Sequence, residues 1–338
     1  MSYDVYGLGN ALLDVQCEVD EQFLNQHNIP KGLMTLVEYE RQSEILELLG
    51  EDRIHKVSSG GSLANSMMVL QYFGGKGFYS CNIAQDEAGD QYYKEMKEAG
   101  LDTNFDTQER GPGNTGRCLV KITPDADRTM STYLGVSIEL CEERLNHEAL
   151  KKSKYLYLEG YLTASEPAHK AAVKAKSIAT QYGVKTALTL SDPSIVTGFK
   201  DQFHELLNDP VDLLFCNEDE AKEFTGTDTL EQAVEALKQY AKTFAVTIGP
   251  KGSLLFDGQQ FISVPATEEK PIDTVGAGDM FAGAFLYALT KGMSWRKAGE
   301  LANLTSSKVV TIYGPRVSKK HTEELLVALD EMYSAQVA

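Results

Sequence analysis

The sequence predicts an α/β protein: a mostly parallel sheet between layers of helices, with a small β lid beside it. Three observations predict this. From about residue 153 onward, short β-rich runs alternate with helical periodicity, the pattern of strands joined by crossover helices. Two earlier segments, near 14–40 and 116–134, are β-rich and break that alternation. Clusters of Gly, Asp and Asn fall at the predicted carboxyl ends of strands, where open parallel sheets hold ligands.

Taken in order, YDVYGLGNALLDVQCEV reads as an opening strand. Ser62 to Phe73 has helical spacing and closes at Gly74-Gly75, GFYSCNIA is a short strand, and Glu87 to Ala99 is a helix stopped by Gly100. TGRCLVKITPDADRTMSTYLG places two β-rich arms around Pro124-Asp125-Ala126-Asp127, good turn chemistry for a hairpin. KYLYLEG (strand), Pro167 to Tyr182 (helix), VKTALTLSD and VDLLFCN (strands), Thr229 to Ala241 (helix) and TFAVTIG (strand) follow. GSLLFDGQQFISV reads as a second hairpin, and the chain from Asp279 onward is mostly helix. We expect a single domain over 1–338, with the lid formed by about 14–50 and 107–135.

Composition excludes several classes. The 338 residues are 42% apolar, enough for a sizeable core, which makes disorder improbable. The net charge of −17 disfavours nucleic acid and anionic membrane surfaces as partners. Five scattered cysteines, without a CxxC pair, argue against a disulfide scaffold or a zinc site and suit a reducing cytoplasm. Neither a signal peptide nor a membrane-spanning run is visible.

The chemistry concentrates in DTVGAGDMFAGAF, Asp273 to Phe285. Small residues before a helix let its backbone approach a ligand closely. The first helical amides point outward unpaired and, with the helix dipole, form an anion site. Asp279 lies in that first turn, placed to accept a hydroxyl proton while neighbouring amides hold developing charge, as transfer of a phosphoryl group to an alcohol requires. On spacing alone the stretch also reads as an ordinary helix start with Asp as dipole partner. A Walker A pattern is absent from the sequence. GLGNAL after the first strand lacks the third glycine of a dinucleotide fingerprint.

Four motifs in sequence, Gly60–Asn65 (GGSLAN), Asn217–Glu220 (NEDE), Thr247–Gly252 (TIGPKG) and DTVGAGD, resemble in kind and order those of the ribokinase-like (PfkB) family of carbohydrate and nucleoside kinases. The resemblance covers nearly the whole chain and implies the three-layer ribokinase-like fold. It implies that Asp279 is the catalytic base, that Gly276, Ala277 and Gly278 supply the anion hole, and that Arg128 swings over the transferring phosphate. It assigns Asn217, Thr247, Gly249, Gly252 and Asn303 to ATP, and Glu220 to Mg²⁺ through water. It sets Asp273 beside a possible K⁺, with carbonyls of VTIYGP as further ligands.

For the acceptor, the resemblance assigns Asn10, Asp14, Gly60, Gly61 and Asn65, with Asp14 receiving two neighbouring ribose hydroxyls. GNALLDV, GGSLANS, YLYLEGYLTAS, LTLSDPSI and DRTM are most similar to the adenosine kinase branch. There Tyr161 falls where an aromatic face stacks on the base, and Ala11, Leu12, Leu36, Tyr133 and Leu134 suit an apolar lid surface. Unpartnered readings stay open: a helix cap for Asn217 and Glu220, turns for the glycines, a strand end for Asp14, a core residue for Tyr161, a surface residue for Arg128. The expected activity is ATP-dependent phosphorylation of a purine nucleoside 5′-hydroxyl, adenosine to AMP. Inosine or guanosine, a sugar or sugar acid, and a non-catalytic nucleotide sensor are the alternatives. Expected partners are a small-molecule nucleoside or sugar, with the protein a monomer or homodimer.

Overall fold

The structure is a computed structural model and describes residues 2–125 and 127–335. Ala126, in the expected hairpin turn, lies outside the described residues. In chain order the strands are β1 (Tyr3–Leu8), β2 (Leu12–Glu18), β3 (Met34–Leu36), β4 (Ile54–Gly60), β5 (Gly77–Ser80), β6 (Asp102–Thr103) and β7 (Thr115–Ile122). They continue as β8 (Arg128–Gly135), β9 (Ser153–Glu159), β10 (Lys185–Thr189), β11 (Leu213–Asn217), β12 (Phe244–Thr247), β13 (Ser253–Phe256) and β14 (Phe261–Val264).

The large sheet has the order β14-β13-β12-β11-β10-β9-β1-β5-β6. From β12 to β6 every pairing is parallel, and the β13–β14 hairpin closes one edge antiparallel. Central strands read as continuous apolar runs because both faces are covered: Leu156, Tyr157 and Leu158 of β9 are all buried. On one face lie the helices Ser62–Tyr72, Ala277–Thr290 and Trp295–Val309, with Met67, Phe281 and Phe285 in the core. On the other lie Glu166–Tyr182 and Lys200–Leu207, with Ala171, Ala175 and Phe203. Each such phenylalanine contributes about 1.5–3 kcal/mol by leaving water.

One close approach positions the chemistry. A Cβ on Gly283 would stand 2.3 Å from the carbonyl oxygen of Ser66, so only glycine lets helices Ser62–Tyr72 and Ala277–Thr290 touch backbone to side there. That contact brings Asp279, one turn earlier, over Ser62 and Asn65.

The small sheet has the order β3-β8-β7-β2-β4 and its own core of Val15, Phe23, Leu24, Ile45 and Leu119. Two differences from the sequence reading stand out. The opening strand is two strands in two sheets, β1 and β2, because the chain breaks at Gly9-Asn10-Ala11 to cross between them. β4 was not expected as a strand and lies outside the two lid stretches. Its sequence, IHKVSSG, carries little β pattern; it is held by antiparallel pairing to β2 and forms the edge of the small sheet there.

Candidate active site

The parallel register brings Asn10, Glu159, Asn217 and Thr247 to the carboxyl ends of neighbouring strands. Against that edge stands the mouth of helix Ala277–Thr290. Its N-cap, Gly276, has φ +76°, and a Cβ there would lie 2.1 Å from the carbonyl oxygen of Pro315, so the position tolerates only glycine. A Cβ on Gly278 would meet nothing within 4 Å.

Asp279 is half-buried and fully engaged. Its Oδ1 accepts from Ser62 Oγ at 2.6 Å and its Oδ2 from Asn65 Nδ2 at 2.9 Å. Ser66 Oγ donates to its backbone oxygen at 2.9 Å. Burial raises its pKa above the usual carboxylate range, opposed by the Ser62 and Asn65 hydrogen bonds and by the charge of Arg316. A carboxylate in that state is a stronger base than one in water.

Asp14, on β2, is 7% exposed and is pushed up to about 7 by burial; Arg316 pulls it down and Asp279 adds to the rise. Gly60 faces it so closely that a Cβ would sit 2.2 Å from the carboxylate. Gly61, at φ +93°, would place a Cβ 2.3 Å from the carbonyl oxygen of Asn10. Asn10, Asp14, Gly60, Gly61 and Asn65 thus lie together near Asp279. Tyr161 lies in the turn after β9, half-buried, among the charges of Asp192, Asp279, Glu159 and Glu220. Leu36, Tyr133 and Leu134 come together with Val136 and Ile138 around a cavity of about 430 Å³. Ala11 is fully buried, and Leu12 packs on Gly116.

A second cavity, about 350 Å³, opens on the other side of the helix mouth. Thr247, Gly249, Gly252, Ala277, Gly278, Asn303 and Ser306 line it. Gly252, at φ +99°, would bring a Cβ 2.1 Å from the carbonyl oxygen of Val264. Asn303 donates Nδ2 to the carbonyls of Val264 (2.9 Å) and Pro265 (3.2 Å), which leaves its oxygen as the group free for a ligand.

Asn217 and Glu220 form a capping box. Asn217 Oδ1 accepts from Glu220 N at 2.8 Å, while Glu220 accepts from Asn217 N at 2.9 Å and Nδ2 at 2.8 Å. Glu220 is buried and pushed up to about 7, mainly by burial, with Asp192 and Asp279 adding to the rise. Among the described residues no group of three or more His, Cys, Asp or Glu side chains is arranged to hold a metal. Asn217 and Glu220 offer one carboxylate and one amide, a set that fits Mg²⁺, which keeps several waters and rests on one or two carboxylates plus substrate phosphates.

Asp273 and the 310–315 segment, expected beside K⁺, lie together. Asp273 Oδ1 accepts from Val275 N at 2.8 Å and Oδ2 from Gly314 N at 3.0 Å, and the carboxylate ion-pairs with Arg128. The Val310 carbonyl, expected among the ligands, accepts from Ile272 N and Asp273 N. Arg128, expected to reach over the transferring phosphate, lies beside Asp273 in the loop before helix Ala277–Thr290.

Three site residues escaped the sequence. Ser62 was visible within GGSLAN but unassigned. Glu159 accepts from Asn10 N at 2.6 Å and Leu63 N at 2.9 Å, fixing both substrate loops; burial pushes it up to about 7. An acid ending the apolar run YLYLE was its signal. Arg316 donates to Asn65 Oδ1 at 2.8 Å, to Ser59 Oγ at 3.2 Å and to the Ser59 carbonyl, with Glu95 at 3.7 Å. No local pattern marks it, because its partners come from distant segments.

A family model described as pfkB family carbohydrate kinase matches residues 33–322. Adenosine kinase 1 of Arabidopsis thaliana is 28% identical over 305 residues, 85% of this chain and 88% of that protein. The solved structure of adenosine kinase from Sinorhizobium meliloti matches with a TM-score of 0.89 at 32% identity, covering 96% of this chain and 99% of that one. A probable sugar kinase from Rhizobium etli CFN 42 matches with a TM-score of 0.90 at 32% identity, covering 97% and 100%. The chain belongs to the PfkB family of carbohydrate kinases and is a phosphotransferase with an alcohol group as acceptor.

Proposed function

We propose that this kinase transfers the γ-phosphoryl group of ATP to the 5′-hydroxyl of a purine nucleoside, adenosine first among them. One observation carries the reading: consecutive residues at one helix mouth face two compartments. Ala277 and Gly278 line the cavity of Thr247, Gly249, Gly252 and Asn303. Asp279, the next residue, is held by Ser62 and Asn65, on the segment that sets Gly60 against Asp14. A base between a nucleotide cavity and a hydroxyl-binding acid suits in-line phosphoryl transfer.

In this reading Asp14 accepts the two ribose hydroxyls, Asn65 and the Gly60-Gly61 backbone hold the sugar, and Tyr161 with the Leu36, Tyr133 and Leu134 surface covers the base. Asp279 takes the 5′-hydroxyl proton as that oxygen bonds to the γ-phosphorus; the bond from phosphorus to the β,γ-bridging oxygen breaks and ADP leaves. The first amides of helix Ala277–Thr290 stabilise the charge on the transferring group. Mg²⁺, held through water by Glu220, would neutralise phosphate charge when bound. The small sheet acts as a lid that excludes water from ATP. The names of the A. thaliana and S. meliloti relatives support adenosine. All five cysteines are free, which suits a reducing cytoplasm, the compartment we propose.

The R. etli protein, equally similar but named a probable sugar kinase, favours a second reading with a bare sugar as acceptor. ADP release measured across adenosine, inosine, guanosine, ribose, fructose and 2-keto-3-deoxygluconate tests both. The nucleoside reading expects the highest kcat/KM for adenosine; a sugar turned over with higher kcat/KM than any nucleoside overturns it.

A further inference from the structure

The polar contacts behind Asp279 run further than its immediate neighbours. Asn65, on helix Ser62–Tyr72, donates Nδ2 to Asp279 Oδ2 at 2.9 Å, and its Oδ1 accepts from Arg316 Nη1 at 2.8 Å. The other arm of Arg316, Nη2, donates to Ser59 Oγ at 3.2 Å. That hydroxyl donates to Glu95 Oε2, on helix Glu87–Ala99, at 2.6 Å, and Ser59 N donates to the same oxygen at 2.8 Å. Gln91 Nε2 donates to the other carboxylate oxygen at 3.0 Å. Ser59 and Asn65 are buried, and the Arg316 and Glu95 side chains are 12% and 25% exposed.

The chemistry of these groups gives the chain one direction. Burial works against the charge of Glu95, but the hydrogen bonds from Ser59 and Gln91 and the charge of Arg316 outweigh it and hold the carboxyl below its usual range. An ionised carboxylate only accepts, so the Ser59 hydroxyl gives its proton to Glu95 and turns a lone pair to Arg316. A guanidinium only donates, so the Asn65 oxygen faces it and the Asn65 nitrogen is left for Asp279. With its oxygen released, the amide is free to turn that oxygen toward Asp279, where two acceptors would meet.

We infer that Glu95 is a positioning residue for the base: through Ser59 and Arg316 it fixes the Asn65 amide that orients Asp279. Glu95 itself touches no reacting atom. The inference rests on the reading of Asp279 as base for its kinetic arm only.

The test uses the full chain with ATP and adenosine, with thermal melting beside turnover. Glu95→Ala and Ser59→Ala are each expected to lower kcat about three- to tenfold, the scale of one hydrogen bond, with the KM for ATP nearly unchanged. Glu95→Gln, which keeps an acceptor for Ser59, is expected to recover most of that loss. The double variant Glu95→Ala/Arg316→Met is expected to turn over no more slowly than Arg316→Met, because Glu95 acts through that residue. A wild-type kcat in Glu95→Ala, or losses that multiply in the double variant, would overturn the inference; either is the result expected if Glu95 only fastens helix Glu87–Ala99 to β4. Ser59→Ala, alone and with Arg316→Met, makes the same comparison should Glu95→Ala not fold. In melting, the two single losses of Tm are expected to sum to more than the loss in the double variant, and strictly additive losses would also overturn the inference. The melting arm needs no substrate, so it separates failure of this inference from failure of the proposed activity.

Discussion

Asn65 links a cation to the proposed base. Its Nδ2 donates to Asp279 Oδ2 at 2.9 Å while its Oδ1 accepts from Arg316 at 2.8 Å. Arg316 also lowers the pKa of Asp279 and of Asp14. It is thereby coupled to both acids by charge, and to one of them through a shared amide.

Arg316→Met should therefore act on protonation as well as on rate. Losing the positive charge raises both carboxylates further, so the ionised base appears only at higher pH. We expect the acid limb of the kcat profile to move up by about one pH unit, with Arg316→Lys restoring most of it. A lower kcat with an unmoved limb would mean that Arg316 is structural only.

Gly60 and Asp14 should fail in the same way. A methyl on Gly60 would stand where the Asp14 carboxylate now lies. Gly60→Ala and Asp14→Ala are both expected to raise the nucleoside KM by about tenfold or more, the scale of a lost charged hydrogen-bond pair, and to leave the KM for ATP nearly unchanged. Steady-state kinetics with each substrate varied in turn checks this. A change confined to ATP would reverse the two compartments.

Two glycines of the nucleotide cavity should part company. Gly278 has open space around it, so Gly278→Ala should keep or slightly raise Tm, by helix propensity of about 0.5–1 kcal/mol, while a methyl in the cavity raises the KM for ATP. Gly252→Ala forces a Cβ onto the Val264 carbonyl at positive φ and should lower Tm as well. Melting curves and ATP saturation of the pair separate the two effects.

The ligand-free protein should grow more stable as pH falls from 7.5 to 5.5. Asp14, Glu159 and Glu220 are each pushed up to about 7 by burial. A carboxyl raised on folding binds its proton more tightly in the folded state. Its contribution is complete below the unfolded value, about 4, and is lost as pH rises through 7. Melting temperatures across that range, with Asp14→Asn flattening part of the slope, are the check. A Tm that is level or rises with pH in the wild type would contradict the burial of these acids.

Gly276, Gly60, Gly61 and the Thr247–Gly252 turn were legible in sequence because each sits in a short local pattern that its conformation demands, and Asp279 and Asp14 because each lies close to one. Gly276 and Gly252 have positive φ, and Gly60 and Gly61 have neighbours that exclude a Cβ. The alternation of strands and helices was legible because a sheet covered on both faces writes long apolar runs. The division of the first strand and the strand nature of β4 were not, since both depend on pairing with distant chain. Arg316, Glu159 and the Arg128–Asp273 pair escaped for the same reason: partners 96 to 257 residues apart leave no spacing to read. The readings of K⁺ beside Asp273 and of Arg128 over the phosphate followed the family resemblance, since neither has a local pattern of its own.

The most direct test of the central claim is AMP formation by Asp279→Asn with saturating ATP and adenosine. The amide keeps an acceptor for Ser62 but cannot take a proton. The account predicts turnover lower by about 10²–10⁴-fold, the range of general-base catalysis, with ATP and adenosine affinities by calorimetry within a few-fold of wild type. Turnover close to wild type in that variant would contradict it.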